Sequence, residues 1–201
     1  MSEKVNMPGL LIVISGPSGA GKGTLCRAMK NYFPDAYYSI SATTRSPRQG
    51  ERHGVDYFFM STEEFLELRD ANGCLEWAEV YGNYYGTPRS NVEESIAQGR
   101  DVILEIDIQG ALHVKKQYPE GVFIFIVPPS IEELKRRIET RGQNSPEDMS
   151  KRLKSAQAEL AYVSEYDYVI VNDELEKATE KLKSVIIAEK CKPQRKEIKF
   201  E

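Results

Sequence analysis

Five short segments of the chain, residues 10–15, 37–41, 102–106, 123–127 and 168–171, are apolar at most of their positions. A strand with one wet face alternates apolar and polar residues. A near-continuous run of Val, Ile and Leu marks a parallel strand covered on both faces. Helical patterns follow several of these runs. The order therefore predicts an α/β protein built on a doubly wound, five-stranded parallel sheet. Three helix starts are signalled. Ser61-Thr62-Glu63-Glu64 and Ser130-Ile131-Glu132-Glu133 each place a Glu three residues after a hydroxyl, the pattern of a capping box. Ser145-Pro146-Glu147-Asp148 puts Pro in the first turn with acids behind it. Beyond it, Met149, Leu153, Ala156, Leu160 and Val163 recur at spacings of four and three, which predicts one apolar stripe of a long helix lying against the sheet.

The pattern changes between residues 42 and 93. Arg45, Arg48 and Arg52 crowd a stretch punctuated by Pro47, Gly50 and Gly54, and short aromatic segments follow, with a Gly82-Asn83 turn. This predicts a small, mostly antiparallel lobe inserted into the α/β core. Residues 132–151 carry Arg136, Arg137 and Arg141, then Gly142-Gln143-Asn144 between two helical stretches, and are expected to form a mobile lid. The core is then assigned to residues 1–41, 94–131 and 152–201. The charged tail from Glu189 onward is expected to fray.

Composition narrows the classes. The chain has 201 residues, 40% hydrophobic and 29% charged, enough for one domain with a sizeable core and unlike a disordered chain. No apolar run approaches the roughly 18–20 residues of a spanning helix, and the first seven residues lack the apolar stretch of a signal peptide. A net charge of −4 argues against a protein that coats nucleic acid electrostatically. Cys26, Cys74 and Cys191 are odd in number and scattered, so they read as free thiols of a reducing, cytoplasmic compartment. No extended heptad is present, and the choice between monomer and homo-oligomer stays open.

Candidate chemistry starts at Gly16-Pro17-Ser18-Gly19-Ala20-Gly21-Lys22-Gly23-Thr24. It follows the first strand and opens a helix, the context in which G-x-x-x-x-G-K cradles a polyphosphate. Glycines let backbone N–H groups curl around the anion, the helix N-terminus adds partial positive charge, and Lys22 reaches the outer phosphates. The motif expects Ser or Thr after the lysine as a Mg²⁺ ligand, but that place holds Gly23. Any Mg²⁺ must then be held by phosphate oxygens, waters and a carboxylate, an arrangement this ion tolerates.

The inserted lobe offers Ser41, Arg45, Arg48, Tyr57, Glu76, Tyr85 and Thr87. Arginine forks and tyrosine hydroxyls suit a phosphate monoester. Glu76 suits paired donors such as guanine N1–H and N2–H₂, with Ser41 or Thr87 donating to O6 or N7. By themselves these residues equally fit a solvated basic strip and ordinary strand packing. His53 and His113 have no recognisable catalytic setting. A kinase for another phosphomonoester, and a phosphopeptide-binding module, are the competing classes. The first is disfavoured by Glu76, the second by the intact phosphate loop.

Taken together, the chain resembles the guanylate kinase family. The likeness rests on residues 14–22, on Ser41-Ala42-Thr43-Thr44-Arg45-Ser46-Pro47-Arg48-Gln49-Gly50-Glu51, and on Gly54-Val55-Asp56-Tyr57 and Glu76-Trp77-Ala78. It continues in Asn83-Tyr84-Tyr85-Gly86-Thr87, Ile106-Asp107-Ile108-Gln109-Gly110, Pro128-Pro129-Ser130, residues 151–160 and Val171-Asn172-Asp173. It spans about residues 9–188. The resemblance implies a P-loop kinase core and transfer of a phosphoryl group from ATP to GMP, and by extension dGMP, with Mg²⁺. It also implies roles. Residues 16–24 would hold ATP, Arg45, Arg48, Tyr57 and Tyr85 the GMP phosphate, and Glu76, Ser41 and Thr87 the guanine. Asp107 would lie between the nucleotides near GMP and, through water, the metal. Arg137, Arg141 and Arg152 would close over the ATP phosphates, and Asn172 would approach the adenine.

Overall fold

The computed structural model describes residues 8–80, 82–140 and 146–195. Along the chain the elements are β1 (Leu11–Ser15), α1 (Lys22–Met29), β2 (Tyr37–Tyr38), β3 (Ala42–Thr43), β4 (Phe58–Phe59), α2 (Thr62–Asp70), β5 (Cys74–Val80), β6 (Asn83–Pro88) and α3 (Arg89–Ala97). They continue with β7 (Val102–Glu105), α4 (Ile108–Gln117), β8 (Val122–Val127), α5 (Ile131–Thr140), α6 (Pro146–Leu160), a 3-10 turn at Ala161–Glu165, β9 (Tyr168–Val171) and α7 (Leu175–Lys190).

Five strands form one parallel sheet in the order β2-β7-β1-β8-β9. The central strand β1 is buried along its whole length, which is why its sequence shows no alternation. Ile12, Ile14, Ile124, Ile126 and Ile170 face α1 and α7 on one side. Val13, Leu104, Phe123 and Phe125 face α4 and α3 on the other. All five apolar runs lie in this sheet. The second is shorter than expected. Ser39 still donates to the Ile103 carbonyl, but residues 39–41 then leave the sheet to enter the lobe.

The lobe is a four-stranded sheet in the order β4-β3-β6-β5. β6 pairs antiparallel with both β3 and β5, while β3 and β4 run parallel. Gly82, at φ 74, turns the β5–β6 hairpin. Helix α2 starts with the expected capping box, Ser61 Oγ accepting from Glu64 N–H while the Glu64 carboxylate takes Ser61 N–H. It drives Phe65 under the sheet to stack on Tyr84 at 5.4 Å. Ala42, Phe65 and Cys74 form the lobe's own small core. At its base the lobe merges with the main core, because Leu75 of β5 and Val92 of α3 pack into the cluster beneath the parallel sheet.

Three expectations are corrected. The second capping box forms only on one side: Glu133 N–H donates to Ser130 Oγ, but the Glu133 carboxylate is taken by Arg136 and Arg137. The stripe on α6 does not lie wholly on the sheet. Leu153 and Ala156 pack against Leu134 and Ile138 of α5, whereas Leu160, and Val163 on the 3-10 turn that follows, reach the sheet's cluster; the side chain of Met149 lies outside the described residues. Residues 189–195 do not fray. Glu189 is buried, accepts from Tyr168 OH and pairs with Lys192, which ties the end of α7 to β9. Residues 196–201, Ser145 and the Gly142-Gln143-Asn144 segment lie outside the described residues.

Phe65 is fully buried, and truncating such a ring typically costs about 3–5 kcal/mol. Phe65→Ala is expected to split urea unfolding into two transitions, with loss of the lobe preceding loss of the parallel sheet. A single transition with unchanged midpoint would contradict the separate lobe core.

Candidate nucleotide site

β1 delivers the chain into the Gly16–Thr24 loop at its C-terminal edge, and α1 opens at Lys22. The turn can form only with glycine at its first position. Gly16 sits at φ 139, and a Cβ there would lie 2.2 Å from the Ile126 carbonyl oxygen. Lys22 curls back over the loop, its Nζ donating to the Gly16 carbonyl at 2.6 Å and the Pro17 carbonyl at 3.3 Å. Burial lowers the Lys22 pKa, and the carboxylates of Glu105, Glu159 and Asp107 oppose that shift.

Three clefts meet around this loop. One of about 360 Å³ lies on its outer side, lined by Gly19, Gly21, Thr24, Arg136, Arg137 and Asn172 among others. A second of about 210 Å³ lies over the loop, between Lys22, Gly23, Glu105, Asp107 and Glu159. A third of about 260 Å³ opens toward the lobe, with Ser41, Tyr57, Glu76 and Tyr85 on its far wall. Lys22, Glu105 and Asp107 line both the second and the third.

On the outer side, α5 and the end of β9 hold the loop. Arg137 Nε pairs with Glu133 at 2.7 Å, and its Nη2 donates to the Asn172 carbonyl at 3.0 Å. The Asn172 side-chain amide donates to the Ala20 carbonyl at 2.8 Å. Asn172 therefore supports the loop as well as lining the cleft. Arg136, which the sequence reading did not single out for this site, lines it beside Arg137. Arg141 lies outside the described residues. Arg152 falls on α6, with its side chain outside them.

On the lobe side, Glu76 is 5% exposed. Its Oε1 accepts from Thr87 Oγ1 at 2.6 Å. Its Oε2 packs so closely on α4 that a Cβ at Gly110 would come within 2.6 Å of it. Burial raises the Glu76 pKa to about 7, against the Thr87 bond and with help from the Asp107 charge. Thr87 thus stands behind Glu76 and does not itself line the cleft. Asp107 caps α4, its Oδ1 accepting from Gly110 N–H at 2.8 Å. Tyr57 and Tyr85 meet edge to face at 6.1 Å, and the Arg45 guanidinium lies 5.4 Å from the Tyr57 ring. Arg45 pairs with Glu51 at 2.9 Å. Serine, tyrosines, glutamate and phosphate loop are thus brought to one cleft, with Arg45 behind the tyrosines.

Glu105 was missed by sequence reasoning. It ends β7 beside β1, and a Cβ on Gly23 would stand 3.2 Å from its Oε1. The available signal was an acid closing an apolar strand two residues before Asp107.

A family model for guanylate kinases matches residues 9–189. The chain belongs to the guanylate kinase family. It is 58% identical over 193 residues to a guanylate kinase of Desulfitobacterium hafniense, covering 96% of each chain. It is 57% identical over 191 residues to one of Caldanaerobacter subterraneus subsp. tengcongensis, covering 95% of this chain and 93% of that one. Among solved structures, a guanylate kinase from Anaplasma phagocytophilum superposes with a TM-score of 0.79 at 37% identity, covering 94% and 90% of the two chains. Membership makes this chain a nucleoside monophosphate kinase of P-loop architecture, the fold and class that the resemblance implies.

The buried Glu76 has a consequence for stability. Its pKa is raised in the fold from 4.5 to about 7, so the folded state binds the proton more tightly than the unfolded state. Its contribution is fully present below pH 4.5 and is lost as pH rises through 7. By then ionisation costs on the order of 3 kcal/mol. Glu76→Gln, which keeps an acceptor for Thr87, is expected to be more stable than the parent at pH 8.5 and nearly equal at pH 4.5. Urea unfolding at the two pH values measures this, and a pH-independent difference would exclude a desolvated Glu76.

Proposed function

We propose that the protein transfers the γ-phosphoryl group of ATP to GMP, and also to dGMP, giving ADP and the diphosphate, as a cytoplasmic enzyme of purine nucleotide metabolism. The observation that carries the reading is the shared wall of the two inner clefts. Lys22, Glu105 and Asp107 border both the space over the phosphate loop and the space ending at Glu76. ATP would enter along the outer cleft beside Thr24, Arg137 and Asn172, with its phosphates over residues 16–24. GMP would place its base against Glu76 and Ser41 and its phosphate toward Tyr57, Tyr85, Arg45 and Arg48. Asp107 would stand between them.

The chemistry asks little of a base. The second pKa of a phosphate monoester is about 6, so the attacking oxygen of GMP is already largely ionised at neutral pH. The difficulty is repulsion between two anions approaching in line, and cations must offset it in a loose transition state. Lys22, Arg45, Arg48 and Arg137 would supply charge, joined by Arg141 of the lid and Arg152 immediately after it. Closure of lobe and lid would exclude the water that otherwise hydrolyses ATP.

The residues present fit Mg²⁺. Glu105 and Asp107 offer oxygen donors beside Lys22, and no cluster of three or more His, Cys, Asp or Glu among the described residues would form a closed protein cage. Mg²⁺ usually keeps several waters and takes one or two carboxylates plus substrate phosphates. Gly23 provides no hydroxyl, and the carboxylate facing it is Glu105. Glu105 and Asp107 are thus the residues that would hold the hydrated ion. When bound, the metal supplies charge neutralisation at the ATP phosphates.

ADP formation from ATP with GMP, AMP, CMP, UMP or no acceptor tests the reading directly. Turnover with GMP well above all others is expected, and equal rates across the panel would overturn it. Lys22→Ala and Arg137→Ala are each expected to lower kcat by at least ~10²-fold, the scale for losing one transition-state donor. Near-normal turnover in both would remove the mechanism. Glu76→Gln is expected to lower the GMP/AMP ratio of kcat/KM, because a carboxamide presents a donor where guanine already donates. An unchanged ratio would rule Glu76 out as the reader of the base.

A further inference from the structure

Arg45 and Arg48 sit on the loop between β3 and β4, where no regular element holds them. The loop is tied at its start. Thr44 N–H donates to the Tyr84 carbonyl at 3.1 Å, and Tyr84 N–H donates back to Thr44 Oγ1 at 2.9 Å. It then makes a turn closed by Glu51 N–H to the Arg48 carbonyl at 3.0 Å. Gly50, its third residue, stands at φ 87, the left-handed position that a type II turn assigns to glycine.

The Glu51 side chain closes the same turn a second time. Its Oε2 accepts from Arg48 N–H at 2.7 Å. Both its oxygens accept from Arg45 Nη2 at 2.9 Å, while Arg45 Nη1 donates to the Ser46 carbonyl at 2.6 Å. The pair is shielded, with side-chain exposures of 15% for Arg45 and 20% for Glu51, and the guanidinium rests near the rings of Tyr57 and Phe59. Charge-assisted bonds of this kind are the strong ones. The Arg48 N–H and then the Arg45 guanidinium hold the Glu51 carboxyl below the usual carboxylate range.

An arginine left free would have to give up most of its rotamer freedom on meeting a phosphate. Here that freedom is already restricted. Arg45 donates from Nη1 to Ser46 and from Nη2 to the two Glu51 oxygens, and it also bonds Tyr85, which commits at most four of the five donors of a guanidinium. At least one donor therefore remains for an incoming anion.

We propose that Glu51 is a positioning residue for the acceptor's phosphate: its carboxylate fixes the Arg45 side chain and the Arg48 backbone, so that the loop meets the phosphate group already ordered. The inference rests on the reading of this lobe as the GMP site. Glu51 does not touch the nucleotide, and its effect is confined to ligands that carry the phosphate.

The test compares GMP with guanosine, which keeps the base and lacks the phosphate. Affinities of both are measured by calorimetry for the parent, Glu51→Gln and Glu51→Ala, with KM for GMP, KM for ATP, kcat and the urea midpoint. Glu51→Ala is expected to weaken GMP about tenfold or more, in the range for hydrogen bonds to charged groups. Glu51→Gln, which still accepts from Arg48 N–H, is expected to fall between Ala and the parent. Guanosine affinity and KM for ATP should stay within twofold in both. GMP affinity unchanged in both variants overturns the proposal. So does guanosine weakened as much as GMP, which would mean a collapsed lobe. Failure of the parent itself to bind GMP is a different result: it overturns the functional reading on which the proposal stands.

Discussion

Lys22 is the one cation among the described residues that lines both inner clefts, and much of the molecule follows from placing it there. It lies just beyond β1, a strand buried along its whole length, where a loop whose first glycine leaves no room for a side chain passes into α1. Around it act three carboxylates, Glu105, Glu159 and Asp107. One ammonium among three acids makes a poor receptor for a triphosphate. In the proposed reading the deficit in positive charge would be met by the arginines of α5 and the lobe and by a divalent cation between the acids and the phosphates. The carboxylates that would repel the substrate alone are the groups that would hold its counter-ion.

The two nucleotide-facing walls use opposite physics. The phosphate loop meets its ligand with backbone dipoles and a helix N-terminus, which carry no net charge and need no desolvated ion. In the proposed reading the lobe would meet its ligand with Glu76, an acid whose burial raises its pKa to about 7. Such a group destabilises the fold when ionised, and the Thr87 hydroxyl behind it limits the damage. Discrimination of a base by hydrogen bonds requires a buried polar group that is left unpaired by the wrong ligand. If Glu76 reads the base as proposed, its instability and its selectivity would have the same source.

The parallel sheet and the phosphate loop were legible in the sequence because each has a local signal. A strand buried on both faces shows an unbroken apolar run, as in 123–127, and a phosphate loop shows its glycines and lysine in order. What failed to show were contacts between elements distant in sequence. Thr87 carries a hydroxyl suited to a ligand, and only the β5–β6 pairing, which sets it opposite Glu76, turns it into a support. The stripe on α6 has the right period, but period does not say which surface it meets, and α5 takes Leu153 and Ala156. Glu189 reads as a solvated charge until β9 brings Tyr168 against it. Glu105 closes a strand in a way that hydropathy cannot distinguish from any strand end.

The distribution of apolar burial assigns motion to particular parts. The sheet is sandwiched by two large clusters, whereas the lobe rests on Ala42, Phe65 and Cys74, and the α5–α6 pair on Leu134, Ile138 and Ala156. Segments with few buried contacts open at lower free energy than the core they flank. Both bodies nevertheless keep a core of their own, so each can shift as a unit. Their apolar attachments are Leu75 and Val92 at the foot of the lobe, and Leu160 of α6 with Val163 of the turn that follows, while Arg137 also ties α5 to the phosphate loop and to Asn172. In the proposed reading, a wall carrying Lys22 with two small bodies joined to it would allow the cations of lobe and lid to approach a bound polyanion without disturbing the strand that presents it.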